Sequence, residues 1–400
     1  MKILLIDNEP FVLKLLARQL ANLGFTEVTC HGRAHDALAV LENDADAAGL
    51  VFCDLQMPEM DGVELVRHLA RIEYGGGLVL VSGEDKRILK TAKDLANAHQ
   101  LNVLGALHKP VAVEQLRKIL GGQLSRGATA PRSTRKTYSA DELRLAIAGG
   151  ELVNHYQPKV GLASGMVAGV ETLVRWQHPQ DGLVLPDQFI ATAEDYGLID
   201  ELTRVVLTGA LRQARLWRDE GLPLLVAVNI SMDNLVALEF PDWIAHTASK
   251  AGVPLASLVL EVTESRLMKN PLAVLDILTR LRLKHIGLSI DDFGTGYSSL
   301  AQLRDIPFDE LKIDQGFVHG ACRDASLKTI VEGSCGIARQ LDMKIVAEGV
   351  EDRADWNFLR TADCDLAQGY FIARPMPGEE LADWISDWDE RYQGFGRATS

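Results

Sequence analysis

Apolar and polar positions along the chain fall into two successive series of short strands and amphipathic helices. In the first, KILLI (2–6), GLVFC (49–53), LVLVS (78–82) and VLGAL (103–107) are continuous apolar runs, and FTEVTCH adds another. Such runs have the length and composition of strands buried on both faces of a parallel sheet. Each is followed by a stretch with helical spacing. Pro10 suits the first turn of a helix reaching about Asn22, and Gly24 suits its stop. Five βα units of this kind predict a doubly wound, flavodoxin-like α/β domain over residues 1–121. The pattern breaks at GGQLSRGATAPRSTRKT, where Gly, Ser, Thr, Pro and basic residues gather, so residues 122–137 read as a linker. A second series fills 138–390 and leaves 391–400 as a tail.

In the second series six apolar runs end on a polar group, at Asn229, Glu261, Asp291, Lys312, Glu348 and Gln368, and an earlier run, MVAGVE, ends on Glu171. The successive gaps of 32, 30, 21, 36 and 20 residues are mostly those of a βα repeat. An α/β barrel carries its functional groups at the carboxyl ends of its strands, so a TIM-like barrel is the expected fold. Parity agrees: Gly287, Ser289 and Asp291 share one face of their strand, and Ile286, Leu288 and Ile290 the other. One polar strand end marks only where a strand meets water. Seven in register, in a carboxylate, amide and amine set, are harder to assign to independent strands.

Glu171, Glu261, Asp291, Asp292 and Glu348 would crowd five carboxylates, with Asn229, into one barrel mouth. Hard divalent cations relieve that repulsion, and an all-oxygen donor set selects magnesium or manganese. Adjacent acids can serve two metals, one bridging and one terminal, the arrangement used for phosphodiester hydrolysis. Lys312 would neutralise charge or orient the water, and the loop FGTGYSSL would be a mobile gate. Composition fits a soluble enzyme: 400 residues, 47% hydrophobic, 24% charged, with a net charge of −14 that disfavours a nucleic-acid polymer as partner. Five scattered cysteines form no CxxC pair, and no apolar run approaches a membrane span or a signal peptide core, so a cytoplasmic protein is expected.

Eight motifs stand in order along 138–390: YQPKV (156–160), ETLVRW (171–176), NIS (229–231), EVTES (261–265), DDFGTGYSSL (291–300), LKID (311–314), AEGVE (347–351) and QGYFIARPMP (368–377). They resemble those of the EAL family of cyclic di-GMP phosphodiesterases. The resemblance implies an α/β barrel with an antiparallel first strand and metal-dependent opening of cyclic di-GMP to linear pGpG. It implies that Glu171, Asn229, Glu261 and Asp291 bind one Mg²⁺ or Mn²⁺ and that Asp291, Asp292 and Glu348 bind a second. Lys312 would contact the nucleophilic water, Gln368 would support the metal and water shell, and Glu348 is a candidate general base. Glu264 would anchor the loop after Asp292, Glu171 would also contact substrate, and Arg175 would contact a substrate phosphate or neighbouring backbone. Thr172 departs from the family's usual alanine but points away from Glu171.

The first domain carries IDNEP, Asp54 in CDLQMPEMDG, Ser82 in LVLVSGE and Lys109 in LHKP. These resemble the receiver domains of response regulators. The resemblance implies phosphorylation at Asp54 by a histidine kinase, in a pocket formed by Asp7, Asn8, Glu9, Ser82 and Lys109 with Mg²⁺. Asn8 stands where the family has a metal-binding aspartate, which weakens that cation site, and Ala106 stands where a switching aromatic is usual. Assembly as a homo-oligomer, a dimer or tetramer, is expected. Three alternatives remain at this stage: an enolase-type lyase, a module that binds cyclic di-GMP without cutting it, and an inert barrel localised by its receiver.

Overall fold

The computed structural model describes residues 2–44, 47–83, 85–124, 138–263, 271–295 and 300–397. Contacts divide the chain into two compact units, Met1–Ser133 and Thr134–Ser400, and the division falls within the stretch read as a linker.

The first unit is a parallel sheet of β1 (Ile3–Ile6), β2 (Val28–His31), β3 (Leu50–Asp54), β4 (Gly77–Ser82) and β5 (Asn102–His108), in the order β2-β1-β3-β4-β5. Alternate residues feed two cores. Leu5, Phe52 and Val79 pack to one side, and Leu4, Val51 and Leu80 to the other, which is why these strands read as continuous apolar runs. Asp54 and Ser82 are the last residues of β3 and β4, and Lys109 follows β5.

In the second unit the strands are β6 (Leu152–Gly161), β7 (Val167–His178), β8 (Gly182–Val184), β9 (Leu225–Ile230), β10 (Leu258–Thr263), β11 (Gly287–Phe293), β12 (Glu310–Ile313), β13 (Lys344–Ala347), β14 (Leu366–Ala367) and β15 (Met376–Pro377). Among the described residues, eight of them close a barrel. β7, β9, β10, β11, β12, β13 and β14 lie side by side in parallel. β6 closes the ring, antiparallel to both β7 and β14. β8 and β15 add antiparallel edges to β7 and β6.

Two boundaries differ from the sequence reading. The helix Val113–Leu124 runs past residue 121, and the helix Leu381–Arg397 runs through the supposed tail. Trp384, Trp388 and Tyr392 recur every four residues along that last helix and stack on one another. Trp388 donates its indole N–H to the Gly165 carbonyl at 2.7 Å, and the Tyr392 hydroxyl donates to Ala163 at 3.2 Å, so the segment docks on the β6–β7 turn.

Candidate active site

The barrel interior is built by strand parity. Gly169, Glu171 and Leu173 of β7 face inward, while Val170, Thr172 and Val174 pack outward. Glu171 is not a strand end: β7 continues to His178, because the alternation through Val174 and Trp176 persists and pairs with β8. Asn229 is the penultimate residue of β9, Glu261 lies beside it on β10, and Ser289 beside Glu261 on β11. Lys312 is the third residue of β12, and Glu348 and Gln368 directly follow β13 and β14.

Lys312 is fully buried at the centre of this set. Its ammonium lies 2.6 Å from Glu348, 2.8 Å from Glu261, 3.1 Å from Asp291 and 3.4 Å from Glu171. Burial opposes its charge, but these four carboxylates hold its pKa well above the ordinary lysine value. The Asn229 amide donates to Glu171 Oε1 at 2.8 Å, and the Gln368 amide to Glu171 Oε2 at 2.6 Å. Burial raises the Glu171 pKa, and neighbouring Glu261 and Asp291 add to the rise against Lys312. Glu348 is pushed up to about 8, chiefly by burial, with Asp291 and Glu171 reinforcing it and Lys312 opposing. Burial acts in the same direction on Glu261, yet Lys159 and Lys312 outweigh it and bring that carboxyl down to about 2.

Lys159, Glu310 and Gln157 of this interior have no role in the sequence reading. Lys159 of β6 lies 2.7 Å from Glu261 and 2.8 Å from Glu310 of β12, and the Ser289 hydroxyl donates to Glu310 at 3.0 Å. The signal was present: in YQPKV, Lys159 has the same parity as Gln157, on a strand whose other residues are largely apolar. Gln157 also belongs to the interior. It accepts from the Gln368 amide at 3.0 Å and donates to Ala373 at 3.0 Å.

A regular strand would send Asp291 and Asp292 to opposite faces. The β11–β12 register shifts between Ile290 and Phe293, and Asp292 takes a left-handed backbone, φ 56°. Thr295 closes the turn by donating to the Asp292 carbonyl through both its amide and its hydroxyl. As a result Asp291, Asp292 and Glu348 offer oxygens within 4.8 Å of one another. Glu171, Glu261 and Asp291 form a second such group, so Asp291 belongs to both. The donor chemistry fits divalent cations. Fully ionised, the five interior carboxylates and Glu310 carry six negative charges against the two ammonium groups of Lys159 and Lys312, an excess of four that equals the charge of two divalent ions. The Gln368 Oε1 atom is buried without a hydrogen-bond partner, a further acceptor directed into the same interior.

A third group among the described residues, His319, Asp352 and Asp355, is already engaged. Asp355 accepts from His319 Nδ1 at 2.9 Å, from the Gly320 amide at 3.0 Å and from the Glu351 amide at 3.2 Å. Asp352 caps the helix Arg353–Thr361.

A cavity of about 260 Å³ opens over the carboxylates, walled by Gln157, Glu171, Leu173, Glu348, Gln368 and Tyr370 among others. A more apolar one of about 330 Å³, lined by Pro186, Ile190, Val206 and Ile230, also reaches Leu173 and Asn229. Arg175, for which the resemblance implies a substrate phosphate or neighbouring backbone, lines neither. It is buried two positions along β7 from Leu173 and donates to the Val174 carbonyl at 2.9 Å. Glu264 and residues 296–299 of the loop after Asp292 lie outside the described residues.

In the first unit Lys109 bridges Asp7 and Asp54, each at 2.8 Å, and reaches Glu9 at 3.3 Å. Burial raises the Asp54 pKa while Lys109 opposes the rise. Ser82 is buried beside this pocket and Asn8 is exposed. Among the described residues no group of three acids close enough to share a cation forms here, so the pocket is held by the Lys109 ammonium. No described helix is long and apolar enough to cross a membrane.

The family model described as EAL domain matches residues 140–375, and that of the response regulator receiver domain matches 3–121. The chain is 30% identical over 388 residues to cyclic di-GMP phosphodiesterase RocR of Pseudomonas aeruginosa, covering 96% of this chain and 99% of that protein. It is 44% identical over 241 residues to the bifunctional diguanylate cyclase/cyclic di-GMP phosphodiesterase MucR of the same organism, covering 60% of this chain but 35% of MucR. The second unit superposes on the solved MucR phosphodiesterase in complex with c-di-GMP, with a TM-score of 0.58 and 44% identity, over 60% of this chain and 98% of that one.

Proposed function

We propose, from the premise that this chain belongs to the EAL domain family and carries a response regulator receiver domain, that it hydrolyses cyclic di-GMP to linear pGpG in its barrel mouth. The observation that carries this reading is the pair of carboxylate groups sharing Asp291. Glu171, Asn229, Glu261 and Asp291 would hold one cation, and Asp291, Asp292 and Glu348 the other, with Mg²⁺ or Mn²⁺ as the ions suited to oxygen ligands. Bound there, the two cations would supply an activated water and charge stabilisation for the attacking and leaving oxygens of one phosphodiester.

The chain's own groups prepare the rest. Lys312, held protonated by its four carboxylates, places a fixed positive charge where negative charge grows on the phosphoryl group. Gln368 and Asn229 clamp both oxygens of Glu171 and leave that carboxylate one orientation. The Glu348 carboxyl, pushed up to about 8, is suited to take or return a proton near neutral pH. The apolar cavity beside Leu173 is a place for one flat guanine base, and the polar mouth for the sugar–phosphate ring. Completeness of the ligand set favours a hydrolase over a module that only binds. The receiver, a partner for a histidine kinase, would adjust turnover through Asp54.

The test is incubation of the purified chain with cyclic di-GMP and Mg²⁺ or Mn²⁺. Appearance of pGpG, abolished by a chelator, is expected; nucleotide retained uncut would leave only the binding reading. Ca²⁺, larger and looser in geometry, is expected to support little turnover.

A further inference from the structure

We infer that Lys159 is a positioning residue for the reaction: it acts through Glu261 and sets the affinity of the cation site to which Glu261 belongs. The inference rests on the metal-dependent reading above. Glu261 has no solvent exposure, and both its oxygens are bonded, Oε1 to Lys159 at 2.7 Å and Oε2 to Lys312 at 2.8 Å. Lys312 is shared among four carboxylates, so it fixes none of them alone. Lys159 has a narrower allegiance. Besides Glu261 it touches Glu310, and Glu310 is held in turn by the Ser289 hydroxyl at 3.0 Å. The chain Ser289–Glu310–Lys159–Glu261 therefore crosses the barrel from β11 and β12 to β6 and β10 and ends on a predicted ligand.

The placement follows from register. On β6, Lys159 pairs with Gly169 of β7, one inward step below the pair Gln157 and Glu171. On β12, Glu310 pairs with Ser289, one inward step below Lys312. The barrel thus has two polar layers: a lower one of Lys159, Glu310 and Ser289, and an upper one of Lys312, Glu171, Asp291 and Glu348. Glu261 joins them. The lower layer faces neither cavity, so it does not touch substrate. The layer carries no net charge, and through the Lys159 bond it orients Glu261. Groups one shell behind a ligand typically change metal affinity by roughly 10–100-fold when removed.

Removing Lys159 alone would leave Glu310 a buried acid without its ammonium partner, so the informative variant is Lys159→Met with Glu310→Gln, which removes both charges and keeps an acceptor for Ser289. The full-length chain is compared with this double variant and with Glu310→Gln by calorimetric titration with Mn²⁺, thermal unfolding, and Mn²⁺ dependence of turnover. The double variant is expected to melt within a few degrees of wild type yet bind Mn²⁺ roughly 10–100-fold more weakly, with KM for cyclic di-GMP nearly unchanged. Glu310→Gln, which keeps the Lys159–Glu261 bond, is expected to stay near wild type in Mn²⁺ affinity. A folded double variant with wild-type Mn²⁺ affinity would overturn the assignment, as would an equal loss in Glu310→Gln. If the double variant does not fold, Lys159→Gln decides: weaker Mn²⁺ binding supports the inference and wild-type affinity overturns it. Should wild type bind Mn²⁺ but leave cyclic di-GMP uncut, the substrate reading falls while the calorimetric comparison still decides the role of Lys159.

Discussion

Asp291 and Asp292 are consecutive acids, and the left-handed backbone at Asp292 returns both to one mouth where Glu348 meets them. The repulsion that follows is met in the metal-free protein by Lys312 and by proton uptake, most clearly on Glu348. Cation binding requires the ionised acids, so it must displace those protons. Since the Glu348 pKa is raised to about 8, Mn²⁺ affinity is expected to strengthen as pH rises through that value, measured by calorimetry between pH 6.5 and 9. Flat affinity across that range would remove Glu348 from the ligand set. Glu171 is the acid most tightly clamped, by Asn229 and Gln368. Glu171→Ala is expected to reduce turnover by more than the roughly 10–100-fold typical of a residue one shell behind a ligand. Circular dichroism should show the fold retained.

Strand-end loops hold these residues in place. Val350, in the loop after β13, donates its amide to the Gln368 carbonyl at 3.0 Å and accepts from the Phe371 amide at 2.9 Å. Asp355 ties the same loop to Gly320 beyond β12. Gly349 stands between, at φ 64°, where an added Cβ would lie 2.3 Å from the Gln315 Cβ. Gly349→Ala is therefore expected to cost at least about 1–2 kcal/mol from the backbone alone, a melting drop of several degrees, and to reduce turnover because Glu348 is the preceding residue. A melting temperature equal to wild type would show that the loops are not packed this closely. Much of this architecture was legible in sequence. The period of two placed Asp291 and Lys312 inward, and the strand spacing fixed the barrel. The end of β7 was not legible, because Glu171 is a polar residue inside a strand whose apolar alternation resumes on the other face. The Lys159–Glu310 pair was missed for a related reason: its partners come from β6 and β12, and only closure of the barrel brings them together. Tyr392 read as tail because the stripe it shares with Trp384 and Trp388 has meaning only against the β6–β7 turn.

At the scale of the whole chain, the receiver and the barrel each have their own core, and among the described residues both carboxylate groups that share Asp291 are built from second-unit residues. Appreciable turnover is therefore expected from unmodified protein. A phosphodonor is expected to change it through Asp54 by about 5–150-fold, the range of ordinary allosteric coupling. Assay of wild type and Asp54→Asn with and without a small phosphodonor checks this; an equal response in both would remove Asp54 as the switch. Everything proposed for the barrel mouth depends on its binding two cations in adjacent carboxylate groups that share Asp291. Anomalous diffraction at the manganese edge from crystals of the full-length chain grown with Mn²⁺ addresses it directly. Two peaks are expected, one among Glu171, Asn229, Glu261 and Asp291 and one among Asp291, Asp292 and Glu348; a single peak, or none touching Asp291, would rule out the two-cation site.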